Sequence, residues 1–176
     1  INFSVSHLTM RVKITLSWYG KVIKLKGGYF IAKETFHAVA QSIGGMKVSC
    51  TSRNFEFILD EPKNLGGSDE GMNPIEALLS SLGACKVIVA RSFAKVQGIN
   101  LNDIRVEIDG VLDPDGFIGK NKAAKIGYSA LVSKFYIAAD NTDEEISDFI
   151  AFIDRTCPVA DTIKNAPTTK SEIHKL

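Results

Sequence analysis

The stretch Asn73-Pro-Ile-Glu-Ala-Leu-Leu-Ser-Ser-Leu-Gly-Ala-Cys85, continuing as Lys86-Val-Ile-Val-Ala-Arg-Ser-Phe-Ala-Lys-Val-Gln97, reads as one long helix with a cysteine halfway along it. Asn73 suits the N-cap because its side-chain oxygen can accept a free N–H of the first turn. Pro74 suits the first helical position, where a missing N–H costs no intrahelical bond. Glu76 stands three residues after Asn73 and completes an approximate capping box. Gly98 is placed to end the helix in a left-handed conformation. The predicted helix therefore runs over 74–97, roughly 24 residues and about 36 Å. Its apolar residues, among them Leu78, Leu82, Val87, Ile88, Val89 and Phe93, point in most directions. A helix apolar nearly all round must be buried nearly all round. Lys86 and Arg91 interrupt it too often for a membrane span. The expectation is a central helix wrapped by other structure, from its own chain or from a second subunit.

Upstream of this helix the pattern is β. Over 34–60, Phe36, Ala38 and Ala40 alternate, Ser42-Ile-Gly-Gly45 supplies turn residues, and Met46, Val48 and Cys50 alternate on the return, which predicts a hairpin. A third strand follows, with Phe55, Phe57 and Leu59 on one face. Residues 61–71 hold a proline and three glycines and read as the loop into the helix. Residues 1–30 differ from the rest: they carry Arg11, Lys13, Lys21, Lys24 and Lys26 but no acidic residue. Val12, Ile14 and Leu16 alternate like a strand, and Gly27-Gly28 reads as a break. We take 1–30 as an N-terminal extension, packed as an added strand or mobile, and 31–176 as a single domain.

Downstream, Ile104 to Leu112 alternates as a half-buried strand, Asp113-Pro-Asp-Gly116 reads as a β-turn, and 120–125 as a solvated basic connector. Residues 126–138 predict a strand long enough to need a bend or bulge. Thr142-Asp-Glu-Glu145 is a capping box opening a helix with Ile146, Phe149, Ile150 and Ile153 at helical spacing. That helix stops at Cys157-Pro158, since the residue before proline avoids the α region. A short helix over 159–165 and a closing strand over 170–176 complete the chain. Strands and helices are grouped rather than strictly alternating, so the fold class is α+β with a largely antiparallel sheet.

Composition narrows the function. The chain has 176 residues, 45% of them hydrophobic, with a formal net charge of +1. That charge offers no footprint for nucleic acid or an acidic membrane. Three cysteines are too few for a disulfide scaffold, and their odd number favours a reducing, cytoplasmic setting. His7, His37 and His174 are scattered, so neither a metal nor another cofactor is expected. No phosphate loop, dinucleotide fingerprint or serine nucleophile elbow is present. What remains is Cys85 in the middle of the long helix and Cys157 at a helix end before proline. Free cysteine most often packs as a small hydrophobe, so core packing competes with reactivity at both, and more strongly at Cys50. Apolar surroundings raise a thiol pKa, and Cys85 lies about three turns from the helix N-terminus, beyond help from the dipole.

Residues 66–85, Gly-Gly-Ser-Asp-Glu-Gly-Met-Asn-Pro-Ile-Glu-Ala-Leu-Leu-Ser-Ser-Leu-Gly-Ala-Cys, followed by Cys157-Pro-Val159, resemble the OsmC/Ohr family of osmotically inducible and organic hydroperoxide resistance proteins. The resemblance covers about 34–176. It implies the OsmC-like fold, an intertwined homodimer with central helices enclosed by sheets of both chains. It also implies a thiol-dependent peroxidase acting on organic hydroperoxides, restored by a thiol or dithiol reductant. Cys85 matches the peroxidatic cysteine and Cys157 the resolving one. Two positions depart from the family pattern. Peroxidase members commonly carry Glu two residues after the motif Asn, where this chain has Ile75. Glu76 follows it, with cap closure as its first assignment and a supporting catalytic role as its second. The family's thiolate-stabilising Arg sits on an early loop; Arg53 is the candidate for it, with Arg155 close to Cys157 in sequence but outside the motif. These departures resemble the OsmC-like branch, and they keep two other functions open: a non-enzymatic protein binding an apolar ligand, and a thiol redox sensor.

Overall fold

The computed structural model describes residues 33–175, together with the backbone of two short strands before them. Those strands, β1 (Val22–Leu25) and β2 (Gly28–Ile31), pair antiparallel across the predicted break at Gly27-Gly28. The alternation at Val12, Ile14 and Leu16 lies outside the described residues.

A three-stranded antiparallel sheet follows, β3 (Val39–Gly44), β4 (Lys47–Ser52) and β5 (Phe55–Leu59), in that spatial order. The predicted hairpin starts later than expected: the strand begins at Val39, and residues 33–38 run outside it. Two tight turns set its register. Gly44 and Gly45 take positive φ between β3 and β4, and Arg53 does so, at 56°, between β4 and β5. Phe55 and Phe57 share a face as predicted, yet both remain more than half exposed, because no other part of the described residues covers it.

The long helix α1 spans Pro74–Phe93. It is shorter than predicted because the chain tightens after Ala94: Gln97 N–H reaches both Phe93 and Ala94 carbonyls, Gly98 N–H reaches Lys95, and Gly98 sits at φ 73°. Strands β6 (Leu101–Val111) and β7 (Ala130–Ala139) form an antiparallel ribbon beneath it. The bend or bulge expected over 126–138 is not where the register shifts: the shift is at Leu101/Asp103 on β6, and β7 starts later, at Ala130. Between them Asp113-Pro-Asp-Gly116 makes a single helical turn, α2 (Pro114–Phe117), rather than a plain β-turn. Asp113 accepts the Asp115 N–H as its cap. Helix α3 (Asp143–Thr156) opens on the predicted capping box and gives way at Cys157 to α4 (Pro158–Lys164). The predicted closing strand is absent: residues 170–175 are exposed and join no sheet, and Leu176 lies outside the described residues.

The core lies between α1, the β6–β7 ribbon and α3–α4. Leu82, Val89 and Ala90 of α1 and Ala94 at its C-cap meet Ile104 of β6, Phe149 and Ile153 of α3, and Cys157 and Ala160. Phe93 and Phe152 add an edge-to-face contact at 5.4 Å. Within one chain α1 is not wrapped on all sides. Lys86 is buried, whereas Ile88 is 52% and Leu78 38% exposed. The charged residue is inside and the isoleucine outside, an inversion of what the hydropathy of the helix predicts.

Candidate active site

The start of α1 is set by one buried carboxylate. Asp60, at the end of β5, accepts the backbone N–H groups of Glu61, Ser68 and Glu70 at 2.9, 2.9 and 3.2 Å, so the loop folds around its side chain. Burial pushes the Asp60 carboxyl up. The three N–H groups and the Lys47 charge outweigh it and hold the group below the usual carboxylate range. Gly67 is required there, since a Cβ would lie 1.6 Å from the Glu61 carbonyl oxygen. Asn73 then accepts the Glu76 N–H at 2.9 Å while Glu76 accepts the Asn73 N–H at 2.8 Å, and the helix runs on to Cys85.

Cys157 is at once the last cap of α3 and the N-cap of α4. Its N–H donates to Ile153, and its sulfur accepts the Ala160 N–H at 3.4 Å. This junction carries the sulfur to 2.9 Å from Cys85 Sγ. Both thiols are free, Cys157 buried and Cys85 partly so. Burial, followed by the neighbouring Cys157 thiol, pushes Cys85 up to about 11; the Val159 N–H and the Lys86 charge act in the opposite direction. An apolar surround for the thiol is what the helix sequence predicts.

Lys86, the next residue, enters the protein rather than the solvent. Its Nζ donates to Ser133 Oγ at 2.9 Å, forms an ion pair with Asp154 and lies 5.2 Å from the centre of the Phe135 ring. A cavity of about 620 Å³ opens beside this pair, lined by Leu78, Leu82, Leu131 and Ile163 as well as Lys86 and Asp154.

Residues 67–172 match the family described as OsmC-like protein. The chain belongs to the OsmC-like family. Among its relatives is a hydroperoxide reductase of Mycoplasma genitalium, 31% identical over 130 residues that make up 72% of this chain and 84% of that protein. The crystal structure of an OsmC like protein from Mycoplasma pneumoniae superposes with a TM-score of 0.62 at 26% identity, covering 77% of this chain and 89% of that one. An organic hydroperoxide resistance protein OsmC from Legionella pneumophila shares the fold, with a TM-score of 0.59 at 22% identity over 76% and 92% of the two chains.

In this OsmC-like chain the four residues singled out from sequence fall in three places. Cys85 and Cys157 come together. Glu76 is engaged in the capping box at the far end of α1's first turn. Arg53 lies in the β4–β5 turn, its guanidinium 4.9 Å from the Phe55 ring centre, and bonds to neither cysteine. Arg155 stacks on Phe152 at 5.2 Å. The residues that sequence reasoning missed are Lys86 and Asp154. Lys86 counted only as a break in apolar character; its one signal was a lysine flanked on both sides by buried-type residues. Among the described residues no cluster of His, Cys, Asp and Glu could hold a metal ion, and no helix is long and apolar enough to cross a membrane.

Proposed function

We propose that the protein is a thiol-dependent peroxidase that reduces organic hydroperoxides with Cys85 as the attacking thiol and Cys157 as the resolving one. The observation that carries this reading is the 2.9 Å separation of the two sulfurs from elements far apart in sequence. Relatives named hydroperoxide reductase support it. In the first step the Cys85 thiolate attacks one peroxide oxygen, the O–O bond breaks, and the alkoxide leaves as an alcohol after taking a proton; Cys85 becomes a sulfenic acid. In the second, the Cys157 sulfur attacks the sulfenic sulfur, the S–O bond breaks and water leaves. Two electrons from an external thiol or dithiol then restore both thiols. Leu78, Leu82, Leu131 and Ile163, in the cavity beside Lys86 and Asp154, offer apolar surface to the organic part of a hydroperoxide.

The working unit on this reading is a homodimer. The exposed apolar residues of α1 and of the β3–β5 sheet support it: both faces lack cover among the described residues, and a second chain would provide each with a partner. It also answers a chemical need. A thiol held near 11 is almost wholly protonated at neutral pH, and no described arginine of the chain bonds to Cys85. A cation contributed across the dimer, with Arg53 the candidate, supplies the missing charge. Treatment with cumene hydroperoxide followed by mass spectrometry tests the whole reading. A Cys85–Cys157 disulfide, lost together with turnover in Cys85→Ser, is the expected result. An unmodified pair and full turnover in Cys85→Ser exclude it.

A second reading has one observation of its own. The cavity beside Lys86 and Asp154, together with a Cys85 thiol held in its neutral form, suits a non-enzymatic protein that binds a ligand with an apolar part. Stabilisation by such a ligand that persists in Cys85→Ser, with no turnover in the wild type, selects that reading; turnover selects the peroxidase.

A further inference from the structure

Between α1 and α3–α4 the structure places two polar contacts side by side. One joins the sulfurs of Cys85 and Cys157. The other joins Lys86, the residue after Cys85, to Asp154, three residues before Cys157. Among the described residues the Lys86–Asp154 pair is the one hydrogen-bonded or charged link between α1 and α3. The remaining contact between these helices is apolar, through residues such as Val89, Phe149, Phe152, Phe93 and Ile153. Apolar contact is non-directional and tolerates sliding of one helix along another. Lys86 is also fixed on its other side by Ser133 and the Phe135 ring of β7, so its ammonium is held from three directions. Ser133 falls on the inward row of β7, where every neighbour in that row is apolar; its hydroxyl there serves the buried ammonium.

We propose that Lys86 and Asp154 are positioning residues for disulfide closure, holding α1 and α3 in the register that keeps the Cys157 sulfur in line with the S–O bond of oxidised Cys85. The inference rests on the peroxidase reading above. The two sulfurs must approach from 2.9 Å to about 2.05 Å while an oxygen attached to Cys85 leaves on the opposite side. A shift of about 1 Å along the helix axis takes the attacking sulfur off that line, and misplacements of that size cost on the order of a hundredfold in rate. An ion pair one residue from one sulfur and one helical turn from the other resists such a shift at the point where it matters.

The test separates the two chemical steps. Reduced protein is mixed with cumene hydroperoxide, the sulfenic acid is trapped with dimedone, and the disulfide is followed by mass spectrometry. In Asp154→Asn the charge of Lys86 remains beside Cys85, and closure is expected to slow at least tenfold relative to sulfenic acid formation, so that dimedone captures an intermediate the wild type does not accumulate. The double variant Lys86→Met/Asp154→Leu, which leaves no unpaired charge, shows the same accumulation and serves if the single variant does not fold. Closure that keeps pace with oxidation in either folded variant overturns the positioning role and leaves the peroxidase reading intact. A wild type that forms neither sulfenic acid nor disulfide overturns the peroxidase reading and this inference with it.

Discussion

Cys85 and Cys157 present their sulfurs to each other at 2.9 Å across a chain separation of 72 residues, and the contact itself opposes ionisation of Cys85. Burial is the larger cause of its rise to about 11, and the adjacent Cys157 thiol adds to it. Replacing Cys157 by alanine removes the second cause, so the Cys85 alkylation midpoint is expected to move to lower pH, measured as iodoacetamide rate against pH. The same shift has a consequence for stability. The folded state keeps the Cys85 proton to higher pH than the unfolded chain, whose thiol titrates near 9.0. Between 9.0 and about 11 the native form therefore binds more protons, and stability falls as pH rises through that window. Denaturant melts of wild type and Cys85→Ser at pH 8 and pH 10.5 check it: the wild type is expected to lose more.

How much of this was legible in the sequence depends on whether a residue acts through its neighbours in the chain. Asn73, Glu76, Thr142 and Glu145 do, and both capping boxes form where they were read. The alternation over 104–112 is local too, and Ile104, Val106 and Ile108 of β6 turn to the core as it implies. Lys86 is different. Its partners Ser133 and Asp154 are 47 and 68 residues away, so no periodicity could show that this lysine is inside. The pairing of Cys85 with Cys157 was implied by family resemblance, not by spacing. The exposure of Ile88 and Phe57 could not be read at all, because hydropathy does not say which chain covers an apolar face.

Asp60 gives a separate prediction. It is 1% exposed and accepts three backbone N–H groups, which lose their partner in Asp60→Ala. The loop over 61–72 then loosens and the start of α1 with it. The melting temperature is expected to fall by about 5 °C or more. The lowered carboxyl sets the direction with pH. The unfolded group titrates near 3.8 and the folded one below it, so the stability it contributes is complete above 3.8 and is lost as pH falls through the folded value. Acid melts of wild type against Asp60→Asn measure it, the variant lacking that part of the acid sensitivity.

Glu76 distinguishes a cap from a catalyst. Its carboxylate accepts the Asn73 N–H at 2.8 Å, and the Tyr128 hydroxyl beside it bonds the Ile75 carbonyl at 3.1 Å. Burial, then the Glu76 charge, pushes the Tyr128 phenol up. Glutamine can accept the same N–H, so Glu76→Gln is expected to leave hydroperoxide turnover within about twofold and stability within about 0.5 kcal/mol. Asn73→Ala removes the reciprocal bond and costs about 1 kcal/mol. A tenfold fall in kcat for Glu76→Gln would place the carboxylate in the chemistry instead.

The proposed dimer is testable from either of its two faces. Phe57 is 54% exposed on the β3–β5 sheet and Ile88 52% exposed on α1. Burying a side chain of this size contributes about 1.5–3 kcal/mol, and two-fold symmetry counts it twice. Phe57→Glu and Ile88→Glu are each expected to shift sedimentation from dimer to monomer, while the core around Ile153 and Phe149 keeps each chain folded. If the charge that activates Cys85 crosses the interface, both monomeric variants also lose the first oxidation step at neutral pH. Arg53→Ala, which keeps the dimer, then reproduces that loss at least tenfold and is rescued by raising the pH, since a more alkaline solution forms the thiolate without help from a cation. An Arg53→Ala protein that oxidises Cys85 at the wild-type rate at pH 7 moves the activating charge to another residue, and monomers that oxidise it equally fast return the whole task to Lys86 and the Val159 N–H within one chain.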